Sequence, residues 1–213
     1  MNLLRMIFRR KGKKDEGMSA ADMMPEAENY TAFFEAACHR TADLGLGENA
    51  LPSGLQMNLD ERFSDSLQRH VRDIVTDMLG GQAQNMAGQC FTINLELAKR
   101  LTDDGFGVSV TWGSVYEMGR GRLFGVDTKD VEKIVRSPEG GTSLDMHSWL
   151  TLPSMEVVDV TILPSIAMVS GDMDLLGRAL MGPPENLAPF RFLPQLVGGE
   201  FPLAAGMVTA FII

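Results

Sequence analysis

The stretch AGQCFTINLELAKRL, residues 87–101, predicts the element around which the fold is built. A polar run with two glycines, residues 80–85, precedes it and is typical of a loop. From Phe91 onward the apolar residues recur at helical spacing, and Gly105 is typical of the residue that follows a helix end. We therefore expect Cys90 at or just before the first turn of a largely buried helix.

Cys90 has two interpretations. At a helix start, the free N–H groups and the helix dipole favour the thiolate, which is the nucleophilic form of cysteine. The same N–H groups can hold an oxyanion as it develops on an attacked carbonyl. A lone cysteine is, however, more often a small buried hydrophobic residue. We interpret Cys38 in this second way, because it lies on the apolar face of a helix expected over residues 30–44.

A histidine and an aspartate follow Cys90 on two expected strands. His147 lies 57 positions after Cys90, and Asp159 lies 12 positions after His147. A turn at residues 153–154 would join the two strands into a hairpin. A cysteine, a histidine and an aspartate so arranged are the parts of a nucleophile, a base and a group that orients the base. Asp145 points to the same sheet face as His147 and is the alternative orienting group, which we rank behind Asp159.

Three short motifs occur in order, at Gly88-Gln89-Cys90, His147-Ser148-Trp149 and Asp159-Val160-Thr161. Together they resemble the transglutaminase-like branch of the papain-like superfamily, in which a Gly-x-Cys opens a helix and the other two motifs lie on successive strands. The resemblance covers about residues 78–163 and not the flanks. It implies acyl transfer or amide hydrolysis through a thioester, with Cys90 as nucleophile, His147 as base and Asp159 as orienting group.

A second resemblance competes with the first. Residues 90–94 and 105–108 are similar to the arylamine N-acetyltransferases, which share the same triad. Those enzymes usually carry Arg-Gly-Gly shortly before the cysteine, where this chain has Met86-Ala87-Gly88, so we rank an acetyl-CoA-dependent N-acetyltransferase second. Their Gly-Phe-Gly after the Asp-Val is also missing, since residues 161–163 read Thr-Ile-Leu. The third possibility is a non-catalytic binding module that retains the triad as a packed hydrogen-bonded core.

Three further residues are candidates for the site. Gln84 lies six positions before Cys90, the offset of the oxyanion glutamine in papain, and its alternative is a loop glutamine that faces water. Trp112 and Trp149 are candidates for lining a substrate groove, although core packing is the preferred interpretation of Trp112.

The expected fold class is α+β. It has an N-terminal helical subdomain, with the nucleophile cysteine on a central helix that packs against an antiparallel sheet carrying the histidine and the aspartate. Residues 1–28 are expected to form a flexible leader and linker, and residues 29–213 a single domain. Within that domain we expect a helical part over residues 29–105 and a sheet part over residues 106–213.

Hydrophobic periodicity predicts the remaining elements. Helices are expected over residues 59–79, 127–135 and 171–180, and strands over 108–112, 114–116 and 206–213. Residues 137–141 are a candidate flap beside the site. Beyond residue 183, repeated prolines are expected to interrupt regular structure.

Composition excludes several classes of function. The net charge of -9 argues against a nucleic-acid partner, because such binding needs a basic surface. His39 and His70 lack a ligand set at workable spacing, so we expect no metal, and the triad chemistry needs no cofactor. A working thiol indicates a reducing compartment, the cytoplasm. The expected partners are therefore a peptide, a protein or a small amide or acyl substrate, and no pattern indicates an oligomeric state.

The N-terminal residues 1–14 combine a short apolar run with a following basic cluster. A secretory signal has the reverse order, and no stretch of the chain approaches the roughly 20 apolar residues of a membrane span. We expect a disordered leader that makes, at most, a weak contact with a membrane surface.

Overall fold

The computed structural model describes residues 29–47, 61–80, 82–125, 127–137 and 145–207. The α-helices in these ranges are α1 (Tyr30–Asp43), α2 (Glu61–Leu79), α3 (Cys90–Asp103), α4 (Thr128–Arg136), α5 (Ile162–Ser170) and α6 (Phe201–Ala204). The strands are β1 (Ser109–Glu117), β2 (Gly121–Phe124), β3 (His147–Thr151), β4 (Val157–Asp159), β5 (Leu180–Gly182) and β6 (Phe190–Val197). Short 3-10 turns occupy Ala83–Met86, Met173–Leu175 and Pro184–Asn186. The fold class is therefore α+β, as predicted.

The strands form one antiparallel sheet in the order β2-β1-β3-β4-β5, with β6 also paired to β1. The first half of β1 pairs with β3, and the second half pairs with β2. The strand β6 pairs with most of the length of β1. Because a strand has only two edges, β2 and β3 share one edge of β1, end to end. His147 pairs with Gly113, and Phe124 pairs with Val115, two residues further along β1. His147 and Phe124 therefore lie close together, where β2 and β3 adjoin.

Both faces of the sheet are buried, and alternate residues of the central strands serve different cores. One core contains Val110, Trp112, Leu150, Val158 and Val160, which are all at even positions. The other contains Val115, Trp149 and Val157, which are all at odd positions. His147 and Asp159 share the odd-numbered face by the same alternation.

The N-terminal helices divide between these two cores. The side chains of α2 and α3 lie in the core of the even-numbered face, for example Val71 and Leu97. Those of α1, such as Phe34, pack with Phe192 of β6 in the other core. A sheet whose two faces are both apolar needs helices on both sides. This explains why α1 packs on the opposite face of the sheet from α2 and α3, which follow it in the sequence.

Two C-terminal predictions are wrong. The expected helix over residues 171–180 is replaced by a 3-10 turn and the start of β5, because Gly171 and Gly177 adopt positive φ angles of 81° and 72°. The prolines do not prevent a strand, since β6 includes Pro194. A bulge in the β1–β6 pairing lies next to Pro194, and a proline is tolerated at a bulge or on an edge strand.

Other predictions fall outside the described residues. They concern the leader at residues 1–28, the flap beyond residue 137 and the terminal strand beyond residue 207. None of the helices within the described ranges combines the length and the apolar character needed to cross a bilayer.

Candidate active site

Cys90 is the first residue of α3, and a glycine turn directs the chain into that helix. Gly88 has a φ of 71°, in the left-handed region that only glycine adopts without strain. Its N–H donates to Oγ of Ser165 on α5 over 3.2 Å, which ties the turn to a second helix. Gln89 does not cap α3 with its side chain, so the first-turn N–H groups have no side-chain partner from that residue.

His147 lies beside both Cys90 and Asp159 and interacts with each of them. The His147 Nε2 lies 2.7 Å from the Asp159 Oδ2, and both side chains are almost fully buried. His147 also neighbours Cys90, and each of the two groups shifts the pKa of the other. Since an ionised carboxylate only accepts, Nε2 carries the hydrogen, and Nδ1 is the ring nitrogen left for the sulfur. Asp159, and not Asp145, is therefore the partner of the His147 Nε2.

The electrostatics of the pair favour a thiolate beside an imidazolium. Burial opposes charge on the Cys90 sulfur, but the adjacent His147 and hydrogen bonds from Ser148 outweigh it and lower the pKa of the thiol. Burial likewise opposes charge on His147, but the negative charges of Asp159 and Cys90 prevail and raise the pKa of the imidazole. Cys90 is only partly buried, whereas Cys38 is buried and has a raised thiol pKa because of burial and the nearby Glu35.

The ring of His147 is fixed by aromatic neighbours. It stacks on Phe124 with 5.0 Å between the ring centroids, and on Trp149 at 6.3 Å. Phe124 reaches this position because β2 ends where β3 begins. An imidazole held by two rings and a carboxylate has few alternative orientations, and this keeps Nδ1 directed at the sulfur.

Asp159 also organises the segment that follows it. Its Oδ1 accepts hydrogen bonds from the backbone N–H groups of Thr161 and Ile162 and from the Thr161 hydroxyl, at 2.9–3.1 Å. The carboxylate therefore binds the imidazole with one oxygen and the start of α5 with the other. Because Ser165 of α5 holds Gly88, the same helix links the Asp159 position to the turn before Cys90.

Sequence reasoning did not identify two polar residues of the site, Ser148 and Asn94. Ser148 lies beside Cys90, and its backbone and its side chain both lower the pKa of that thiol. Asn94, one helical turn after Cys90 and fully buried, donates from Nδ2 to the Ser148 carbonyl over 2.7 Å and to its Oγ over 3.3 Å. The sequence did contain a signal for Asn94, because it is a polar residue on the apolar face of the expected helix, between Ile93 and Leu97, which are buried in the core.

No protein-family model, no curated protein and no solved structure matches this chain. The site is therefore interpreted from its own geometry and chemistry alone.

The remaining candidates lie in different environments. Gln84 is exposed, in the 3-10 turn before Gly88. Trp112 and Trp149 are 2% and 0% exposed, so both indoles belong to the core and do not line an open groove. Each indole N–H has an internal acceptor, the Gly198 carbonyl for Trp112 and the Tyr30 hydroxyl for Trp149. Buried indoles need such acceptors, and this explains their inward placement.

The other histidines lie apart from this site. His39 is exposed on α1, and the His70 Nε2 lies 2.7 Å from the Asp104 Oδ2 near the surface. Within the described part of the chain, no group of three or more His, Cys, Asp or Glu side chains is arranged to hold a metal ion.

Proposed function

We propose that this protein is a cysteine-dependent acyl-transfer enzyme or amide hydrolase of transglutaminase-like type, with a Cys90-His147-Asp159 triad. The observation that carries the proposal is the alignment of Cys90, a partly buried residue at a helix start, with a buried imidazole that is hydrogen-bonded to a buried carboxylate. The proposal includes the finer fold assignment, a cysteine helix packed on a sheet that carries the histidine and the aspartate.

In the first half-reaction the Cys90 sulfur attacks the substrate carbonyl carbon as a thiolate, after its proton has passed to His147. The carbonyl π electrons move to the oxygen, and the tetrahedral intermediate forms. When this collapses, the carbon–nitrogen bond breaks and His147 returns the proton to the leaving amine. The product is a thioester on Cys90 and a neutral amine.

In the second half-reaction an acceptor attacks the thioester. His147 takes a proton from the acceptor, the carbon–sulfur bond breaks, and the sulfur recovers its proton. Water as acceptor gives a carboxylic acid, so the enzyme is then a protease or amidase. An amine as acceptor gives a new amide, so the enzyme is then a cross-linking transferase.

The oxyanion is held at the start of α3. The Cys90 N–H belongs to the first turn, where backbone donors have no intrahelical partner. The helix dipole adds positive potential at the same place. Gln84 remains the candidate for a second donor, and its exposed side chain would have to turn toward the site when the substrate binds.

The test is alkylation by iodoacetamide as a function of pH, read separately for each cysteine by peptide mass spectrometry. Because the Cys90 pKa is lowered, its alkylation should stay fast below the ordinary thiol range of about 8.5, and should fall only as the pH drops through the lowered pKa. Cys38 is the internal control and should react slowly, and only at alkaline pH.

The His147→Ala variant completes the experiment. Without the imidazolium, the Cys90 profile should move to alkaline pH, because the main group that lowers its pKa is gone. Incubation with p-nitrophenyl acetate should give a burst of nitrophenol and an acetyl adduct on Cys90 in the unmodified chain only. If Cys90 and Cys38 titrate alike, and His147→Ala changes neither, the protein is not a thiol enzyme.

A further inference from the structure

A hollow of about 440 Å³ lies between α2 and the segment that leads into β5. Its volume is within the range of about 300–1,000 Å³ that is usual for small-molecule sites. Neither Cys90 nor His147 lines it, although Val160, the residue after Asp159, does. The hollow is therefore a feature separate from the triad, on the even-numbered face of the sheet.

The floor of the hollow is apolar and comes from three elements. Val71, Val75 and Leu79 succeed one another at intervals of four along α2 and extend for roughly 12 Å at 1.5 Å per residue. Val160 and Met181 also line the hollow. Val71 and Val160 are buried, and the others are partly buried. A floor of this length and composition suits a medium-length aliphatic chain.

The rim of the hollow carries positive charge. Arg72 on α2 and Arg178 on the segment before β5 both line it, and both are exposed. Within the described ranges neither forms an ion pair, whereas Arg100, Arg120 and Arg122 do. No aspartate or glutamate is among the lining residues, in a chain whose net charge is -9.

Two unpaired guanidinium groups over an apolar floor define the chemistry of the ligand. The planar fork of an arginine matches the two oxygens of a carboxylate, and such charge-assisted hydrogen bonds are among the strongest in proteins. We propose that this hollow binds an amphipathic monocarboxylate, with its carboxylate between Arg72 and Arg178 and its aliphatic chain on the floor formed by Val71, Val75, Leu79, Val160 and Met181. This site is independent of the proposed acyl transfer.

Calorimetric titration with decanoate tests the site, with decylammonium as the cationic ligand of equal chain length and with acetate as the head group alone. Decanoate should bind, and decylammonium and acetate should not. Octanoate should bind more weakly than decanoate by about fourfold for each methylene removed. Equal binding of the two ten-carbon ligands, or binding of acetate as tight as that of decanoate, would overturn the proposal.

Substitutions assign the binding to this hollow. Arg72→Gln and Arg178→Gln should each weaken decanoate binding about tenfold or more. The matched control is Arg69→Gln, which removes an exposed arginine of the same helix that does not line the hollow and should leave the affinity unchanged. Undiminished binding in both arginine variants would refute the site.

A variant of the floor addresses the aliphatic contact. Val75→Glu should abolish binding, because it places a carboxylate in the apolar floor beside the ligand. Circular dichroism and thermal unfolding of each variant identify losses of binding that are due to misfolding. Cys90→Ser should bind decanoate as tightly as the unmodified chain does, because Cys90 does not line the hollow. Failure of the alkylation experiment on Cys90 would therefore leave the proposed decanoate site untouched.

Discussion

At the scale of the residue, Ser148 lies between Cys90 and the buried Asn94 of α3. Its backbone and its side chain both lower the pKa of the Cys90 thiol, while the Asn94 Nδ2 donates to its carbonyl and its hydroxyl. Hydrogen bonds that favour the charged form of a group lower an acidic pKa. Ser148 is therefore a candidate positioning residue for the Cys90 thiolate, in addition to the three members of the proposed triad.

Replacing Ser148 by alanine should slow Cys90 alkylation near pH 6.5 by about tenfold, because a hydrogen bond to a charged group is lost. The backbone hydrogen bond from residue 148 remains, so the loss should be smaller than in His147→Ala. Peptide-resolved alkylation kinetics across pH measure both. Ser154→Ala is the matched control, since Ser154 is exposed and binds only Glu156. An unchanged pH profile in Ser148→Ala would show that its hydroxyl has no effect on the sulfur.

At the scale of the element, Asp159 joins the sheet to α5. One carboxylate oxygen binds His147, and the other accepts three hydrogen bonds at the start of the helix. Through Ser165, this helix also holds the Gly88 turn that leads into α3. The two roles of the carboxylate can be separated, because the helix start needs only an acceptor, whereas the imidazole needs a group that cannot donate.

Asp159→Ala should lower the free energy of unfolding by about 3–5 kcal/mol, since a buried imidazole loses its charged partner and the start of α5 loses its acceptor. Asp159→Asn should recover part of this stability, because its carbonyl oxygen can still serve the helix. Its amide would turn His147 to the other tautomer, so Cys90 alkylation near neutral pH should remain slow. Urea denaturation and alkylation kinetics give the two readings. Equal stability of the alanine and asparagine variants would contradict the separate roles.

The contact between β1 and β6 depends on a glycine. A Cβ on Gly113 would lie 2.0 Å from the Leu193 carbonyl oxygen and 2.9 Å from the Trp149 ring, beside the bulge. Gly113→Ala should therefore lower the free energy of unfolding by about 3 kcal/mol or more, because the added methyl group displaces the backbone of β6 where it packs on β1.

Gly199→Ala is the control for this substitution. A Cβ there would meet only a flexible atom of Leu95, at 3.2 Å, so the cost should stay near 0.5 kcal/mol. Thermal and urea unfolding compare the two variants. A Gly113→Ala chain as stable as Gly199→Ala would show that β6 is not packed so tightly on β1.

At the scale of the whole molecule, a buried hydrogen-bond network connects α1 to the sheet. The Tyr30 hydroxyl accepts from the Trp149 indole and pairs with the Thr151 hydroxyl, each at 2.7 Å. Thr151 in turn lies 2.6 Å from the Thr111 hydroxyl on β1. The network is buried beneath α1, and burial raises the pKa of Tyr30, so its hydroxyl stays protonated at neutral pH.

Tyr30→Phe should destabilise the fold by about 1–3 kcal/mol, because the buried indole N–H of Trp149 loses its acceptor. The control is Tyr116→Phe, which removes a hydroxyl that has no hydrogen-bond partner among the described residues and should change stability by about 0.5 kcal/mol or less. Urea denaturation measures both. Equal effects of the two substitutions would indicate that the network contributes nothing specific.

Local signals in the sequence determined the elements that carry the triad. The helical spacing after Cys90 predicted a helix from the first turn, and α3 begins at Cys90. Alternation and the turn at residues 153–154 predicted the hairpin, and β3 and β4 contain His147 and Asp159. These predictions succeed because periodicity and turn residues act within a few positions of the chain.

Tertiary contacts decided what local signals do not contain. The strand β6 forms despite Pro194 because its pairing with β1 and its burial outweigh a weak local preference. The burial of Trp112 and Trp149 also depends on tertiary contacts, since only the fold brings Gly198 and Tyr30 to their N–H groups.

The sequence by itself determined the residue types and the elements on which they lie, because these follow from spacing along the chain. Only the tertiary structure decided that Ser148 lies beside Cys90 with Asn94 hydrogen-bonded to it, and that Arg72 and Arg178 share a hollow. Side chains from distant positions meet only after both faces of the sheet are covered, and the burial that covers them acts between elements, not within one.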